Sequence, residues 1–188
     1  MPIPSSRLEE SSDPSTPSMF HIVPLSAQTL GPAVALLRQV FPRQGLAHDA
    51  RLALRLSLQP DAWWSRAAFW LVGVRRPRYW VAVERETGRL VGITGCYECR
   101  EDWQEALWGG WTCVAPEYRG RQLGRALFNF ILAMAQAAGK QYIRAYTSDA
   151  PAERVAQTLY DAYGGAVVRS ERGVFSKERR LYRELRLA

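Results

Sequence analysis

Between Ala106 and Gly139 the spacing of apolar residues changes once, and abruptly. ALWGGWTCVAP (106–116) reads as a strand that ends at Pro116. From Leu123 the repeat is helical: Leu123, Leu127 and Ile131 make one ridge, Phe128, Leu132 and Ala135 lie beside it, and Gly139 closes the helix. The join, VAPEYRGRQLGRAL (114–127), crowds Gly120, Gly124, Arg119, Arg121 and Arg125 into seven residues at the helix start. Arginines are unfavourable there, because the positive end of the helix dipole already occupies that place. The arrangement makes sense where an anion fills the gap, held by the free N–H groups of the first helical turn. The glycines let it approach closely. The segment is not GxxxxGK[ST], which excludes a triphosphate loop, and it does not match GxGxxG.

The rest of the chain divides by period. FHIVPL (20–25) reads as a first strand. Leu30, Val34, Leu37 and Phe41 then recur at helical spacing until Pro42 stops them. A second helical stretch covers about 49–58, with Leu52, Ala53 and Leu56 on one side. YWVAVE (79–84) alternates, RETGR supplies a turn and LVGITGCYEC (90–99) continues, which predicts a hairpin. After the long helix, QYIRAYT (141–147) reads as a strand, and 151–163 as a helix with Val155, Leu159 and Tyr163 on its apolar face. GAVVRS and LYRELRLA close the chain as strands, the latter with Leu181, Leu185 and Leu187 on one face. Residues 1–18, rich in Ser, Pro and acidic side chains, are expected to be a disordered tail. That leaves 19–188 as one domain, which suits a 188-residue chain. The predicted class is mixed α/β with a central, largely antiparallel sheet flanked by helices. It is not a Rossmann fold, because the glycine segment follows the fourth strand.

Composition removes several functions. The net charge of +7 invites nucleic acid, but the arginines are scattered from Arg7 to Arg186 with no contiguous basic helix, so no nucleic-acid partner is expected. No apolar run approaches the ~18 residues of a membrane span, and the N-terminus lacks a charged-then-apolar leader, so neither a membrane partner nor secretion is expected. Three cysteines make no disulfide framework and fit a reducing, cytoplasmic setting. Cys96 and Cys99 form a CxxC, but their spacing in a strand puts them on opposite faces; with only His21 and His48 besides, no metal is expected.

VAPEYRGRQLGRAL resembles the acyl-coenzyme A loop of the GNAT superfamily of N-acetyltransferases, V-x-P-x-x-[RQ]-G-x-G-x-[GA], through Val114, Pro116, Arg119, Gly120 and Gly124. ERVAQTLYDAYGG (153–165) resembles that family's later helix, N-x-x-A-x-x-L-Y-x-x-x-G-F, through Ala156, Leu159, Tyr160 and Gly164. The likeness covers about residues 20–188. Gln122 stands where the family most often has glycine, Glu153 where it often has asparagine, and Gly165 in place of phenylalanine.

The resemblance implies a sheet splayed around an acyl-CoA site, with acetyl-CoA as co-substrate and a small-molecule or peptide amine as acceptor; it leaves room for a homodimer. Backbone groups of Thr112, Cys113 and Val114 would pair with the pantetheine arm. The N–H groups of Gly120, Arg121, Gln122, Leu123, Gly124 and Arg125 would hold the pyrophosphate, with the Arg119, Arg121 and Arg125 guanidinium groups adding positive potential. Glu153 stands at a further contact to the cofactor arm. An alkylamine, with a pKa near ~10, needs a base or a water chain before it can attack. The oxyanion needs a donor such as the Val114 N–H. Tyr160 is the family position for the acid that protonates the leaving thiolate. Glu98 is the chosen base among Glu98, Glu101, Asp102 and Glu105. Trp103, Trp108 and Trp111 line an acceptor pocket or pack a sheet face; Trp63, Trp64 and Trp70 are expected to pack around the early helices, with capping of the acceptor site as the second reading. The competing functions are a non-catalytic acyl-CoA sensor or scaffold and a nucleic-acid binder.

Overall fold

The computed structural model of the protein describes residues 19–42, 50–172 and 178–187; the segment 1–18, expected to be disordered, lies outside them. Strand β1 (Phe20–Pro24) leads into helix α1 (Ala27–Val40), which Ser26 caps in a reciprocal box with Thr29. Helices α2 (Ala50–Ser57) and α3 (Trp63–Leu71) follow. The strands β2 (Val74–Glu84) and β3 (Leu90–Cys99) form the expected hairpin, with Val81 opposite Ile93. Helix α3 is an element that apolar spacing did not predict, and β2 begins five residues earlier than its alternation suggested.

The fourth predicted strand divides into two. Strand β4 (Ala106–Gly109) pairs with β3 through Cys96↔Gly109 and Tyr97↔Trp108; β5 (Cys113–Val114) then rejoins β3 through Gly92↔Val114 and Ile93↔Cys113. Helix α4 (Leu123–Ala137) buries the predicted ridge of Leu123, Leu127 and Ile131 against the sheet. Strand β6 (Tyr142–Ser148), helix α5 (Arg154–Ala162), β7 (Ala166–Arg172) and β8 (Arg179–Arg186) complete the order. The sheet runs β1-β2-β3-β4-β6-β8-β7, and every pairing is antiparallel except β4 with β6. The mixed, largely antiparallel class is therefore correct.

Two packing expectations need correction. Val155 is exposed, so α5 meets the core through Leu159, Tyr160 and Tyr163 alone. Trp63, Trp64 and Trp70 do not pack inward; α3 turns Ser65 toward the protein and its indoles toward solvent. Ser65 is the buried residue of that helix, with Ala68 and Phe69 half-buried beside it.

Candidate active site

The site begins where two parallel strands part. Strands β4 and β6 are in register only from Ala106↔Tyr142 to Trp108↔Arg144. Past Gly109 the chain returns to β3, while β6 continues to Ser148 with β8 as its partner. A notch opens between β5 and the far half of β6.

Peptide alternation decides which groups face that notch. Ala115 donates its N–H to Val91 O at 2.8 Å, so residues 91 and 115 are a hydrogen-bonded antiparallel pair. Their neighbours alternate: Gly92 and Val114 are a non-hydrogen-bonded pair, which turns the Val114 N–H and C=O away from β3 and into the notch. The same rule commits the peptide groups of Cys113 to Ile93, so of the predicted backbone contacts Val114 is free and Cys113 is not. The Thr112 hydroxyl is tied to that of Thr94 at 3.0 Å.

At the near end of the notch lies the start of α4. Gln122 adopts the left-handed conformation, φ 60°, and its side chain makes no cap bond. The first bond of the helix is Ala126 N–H to Gln122 O, at 3.0 Å; among the described residues none accepts from the N–H groups of 120–125. Gly120 has φ 77° with open space where a Cβ would stand, and a Cβ on Gly124 would meet only Val114 Cγ2, at 3.9 Å. Arg119, Arg121 and Arg125 are exposed, and none enters the ion pairs among the described residues. Arg121 lies over the Tyr118 ring at 5.0 Å. The loop thus brings N–H groups without acceptors among the described residues, open space at two glycines and three exposed guanidinium groups to one place, which is what an anion cradle requires.

At the head of the notch stands Tyr160. A Cβ on Gly109 would lie 3.4 Å from both the Tyr160 hydroxyl and the Ala145 Cβ, which puts the hydroxyl where β4 and β6 separate. Phe128 of α4 holds the ring edge-to-face at 5.2 Å. Burial pushes the phenol up to about 12, with Arg183 pulling it down and Glu153 raising it. The phenol therefore carries its proton at neutral pH. Arg183, 4% exposed, bonds Asp161 Oδ1 at 2.6 Å and Gly165 O at 3.2 Å, and its guanidinium lies 5.8 Å from the Tyr160 ring centre. It was not foreseen, although it occupies the apolar phase of LYRELRLA between Leu181 and Leu185.

Glu98 is not available as the base. It is buried and ion-paired to Lys140 Nζ at 3.0 Å, and Lys140 also donates to Trp103 O. Lys140 follows the C-terminal end of the 15-residue α4, so the pair lies about 22 Å along that helix from the anion cradle. Asp102 accepts from Trp108 Nε1 at 2.9 Å and Arg144 at 2.6 Å, and Glu105 accepts from Arg144 at 2.9 Å. Glu153 spends its two oxygens on the Ser148 N–H and hydroxyl, at 2.8 and 2.7 Å, fastening α5 to the end of β6; this is a structural clamp rather than a cofactor contact. Trp103 lies under Arg75 at 4.6 Å, away from the notch, and Trp111 packs on Phe41 at 5.3 Å.

The face of the notch opposite α4 is aromatic. Trp108 stacks on Tyr97 and tilts against Tyr146, and the Tyr97 hydroxyl donates to that of Tyr146 at 3.2 Å. The Tyr79 hydroxyl lies beneath the 109–112 turn, 3.2 Å from where a Cβ on Gly110 would stand. Burial raises both Tyr79 and Tyr97 above the ordinary phenol range. Tyr97 escaped sequence reading because the β3 run is buried on both faces and gives no alternation. Among the described residues no group of His, Cys, Asp and Glu side chains could hold a metal ion.

Comparison with known proteins agrees with this geometry. The acetyltransferase (GNAT) domain family matches residues 75–164. No curated protein sequence matches the chain. Among solved structures, Arabidopsis thaliana NAA60 in complex with a bisubstrate analogue superposes with a TM-score of 0.67 at 14% identity, covering 89% of this chain and 97% of that one. Salmonella typhimurium yncA, solved with its cofactor acetyl-CoA, gives 0.65 at 18% identity over 91% and 95% of the two chains. An Elizabethkingia anophelis GNAT family acetyltransferase with acetyl-CoA bound gives 0.61 at 14% over 91% and 100%. Identities this low establish the fold.

Proposed function

On the premise that the chain has the GNAT acetyltransferase fold, we propose that it is an acetyl-CoA-dependent N-acetyltransferase that moves the acetyl group to a primary amine in a ternary complex. One observation carries the reading. An anion cradle, a strand-edge N–H turned into a notch and a protonated tyrosine at its head lie along one path. The cradle suits the pyrophosphate of coenzyme A, and its fit is supported by the open space at Gly120 and Gly124. Two neighbours in fold are named as holding acetyl-CoA, which supports the same co-substrate here.

Each group then has a task. The Val114 N–H donates to the oxyanion as the amine adds to the thioester carbonyl. Tyr160 gives its proton to the departing sulfur. A protonated alkylamine, pKa about 10, must first lose a proton; with Glu98, Asp102 and Glu105 engaged, and Glu101 exposed in the turn between β3 and β4, that role falls to water in the open notch. The aromatic wall of Tyr97, Trp108 and Tyr146 receives the acceptor and excludes bulk water from it. We further propose a cytoplasmic setting and no nucleic-acid partner, supported by three free thiols and the scattered arginines.

The engagement of those carboxylates favours one other reading, a sensor that holds acetyl-CoA without turnover. Free-thiol release from acetyl-CoA against a broad amine panel separates the two. Release above background hydrolysis with any amine establishes the enzyme. Ligand binding without release across the panel establishes the sensor.

A further inference from the structure

Helix α3 presents its largest apolar side chains to solvent. Trp63 is 76% exposed, Trp70 66% and Leu71 79%, and Trp64 and Val72 adjoin them. Trp63, Ala67, Trp70 and Leu71 follow the i, i+4, i+7, i+8 spacing of one helical stripe, so these groups form a single face. An apolar face of this kind on a nine-residue helix costs solubility unless something covers it.

The charge around it says what. Residues 62–73 carry one charged side chain, Arg66, and no acid. Arg66 is exposed on α3 itself, Arg76 is exposed just beyond it, and the Arg100 guanidinium lies 4.6 Å over the Trp70 ring. Indoles and leucine rimmed by guanidinium groups match an anionic lipid surface: the rings seat at the headgroup level and the arginines meet lipid phosphates and carboxylates. A second copy of the chain fits less well, because a two-fold contact through this face would set its arginines against their equals. We propose that α3 is a peripheral docking face for anionic membranes. This departs from the expectation of no membrane partner, which rested on the lack of a spanning run. The described helices indeed include none long and apolar enough to cross a bilayer. Docking here is in the plane of the surface.

The test is co-sedimentation of the full chain with phosphatidylcholine vesicles, with and without about 30% phosphatidylserine, at low and high salt. The full chain should bind the anionic vesicles and release in high salt. The Trp63→Ser, Trp70→Ser double variant should bind them at least ~tenfold more weakly with an unchanged melting temperature. As an independent arm with both indoles in place, Arg66→Glu, Arg76→Glu should lose the preference for phosphatidylserine. No binding to anionic vesicles at low salt overturns the proposal, as does equal binding by the double variant. A dimer in solution that the double variant dissolves would assign the face to a second copy and overturn it as well.

Discussion

Gly124→Val separates what the α4 start does for folding from what it does for binding. The added Cβ has only Val114 Cγ2 within reach, at 3.9 Å, so the fold accommodates it. Replacing glycine in the first helical turn also removes a residue that costs about 1 kcal/mol relative to alanine, where valine costs about half that. The ligand-free variant should therefore melt at the wild-type temperature or slightly above. A branched side chain in the first turn, among the N–H groups of 120–125, should however compete with a bound anion for that space. Wild-type protein at acetyl-CoA about 100 times its Kd gains about 2.7 kcal/mol, or about 5–11 °C for a chain of this size. The variant should show almost none of that gain in a thermal melt with and without acetyl-CoA. An undiminished ligand shift would refute the cradle. A ligand-free melting temperature several degrees below wild type would refute the claim of open space.

If Tyr160 is the acid we propose, Tyr160→Phe lowers kcat about 10²–10⁴-fold while acetyl-CoA affinity stays within about threefold, with little change in stability because the hydroxyl makes no hydrogen bond among the described residues. With the phenol pushed up to about 12, wild-type kcat should show no fall from its ionisation below about pH 10; such a limb, absent in Tyr160→Phe, would contradict the assigned proton. Glu98→Gln leaves Lys140 buried without its counter-charge and should cost about 3–5 kcal/mol in urea denaturation, with kcat per folded molecule unchanged. Cys96, pushed up to about 11, and Cys99 and Cys113, each to about 12, are held mainly by burial, so alkylation of the native protein near about pH 8 should be far slower than after unfolding.

The turn and helix start of the proposed cradle were legible in the sequence because they are local. Gly120, Gly124 and the three arginines lie within seven residues, and the switch of apolar period marks the helix start to the residue. The base was not legible, because it depends on which face of β3 carries Glu98. LVGITGCYEC is buried on both faces, so alternation gives no phase, and only α4 arriving with Lys140 decides the matter. Helix α3 escaped for a related reason: WWSRAAFWL is apolar at every position but Ser65 and Arg66, so no polar phase sets off a helical face.

The split of the fourth strand links the two cases. Gly109 and Gly110 interrupt an apolar run, a known mark of a bend or a close approach. Both occur here: a Cβ on Gly109 would press the Tyr160 hydroxyl from one face, and one on Gly110 would lie 3.2 Å from the Tyr79 hydroxyl on the other. The same two residues therefore end the β4–β6 pairing, open the notch and leave room for a phenol on each side of it. Arg183 fits this logic. A leucine would continue the face of Leu181, Leu185 and Leu187, but the ring behind it must carry a donor in a buried place. A guanidinium over that ring opposes the rise that burial imposes on the phenol, as the proposed role of Tyr160 as acid requires. Local preference gives way at the strand break and at this buried charge, and both lie at the notch.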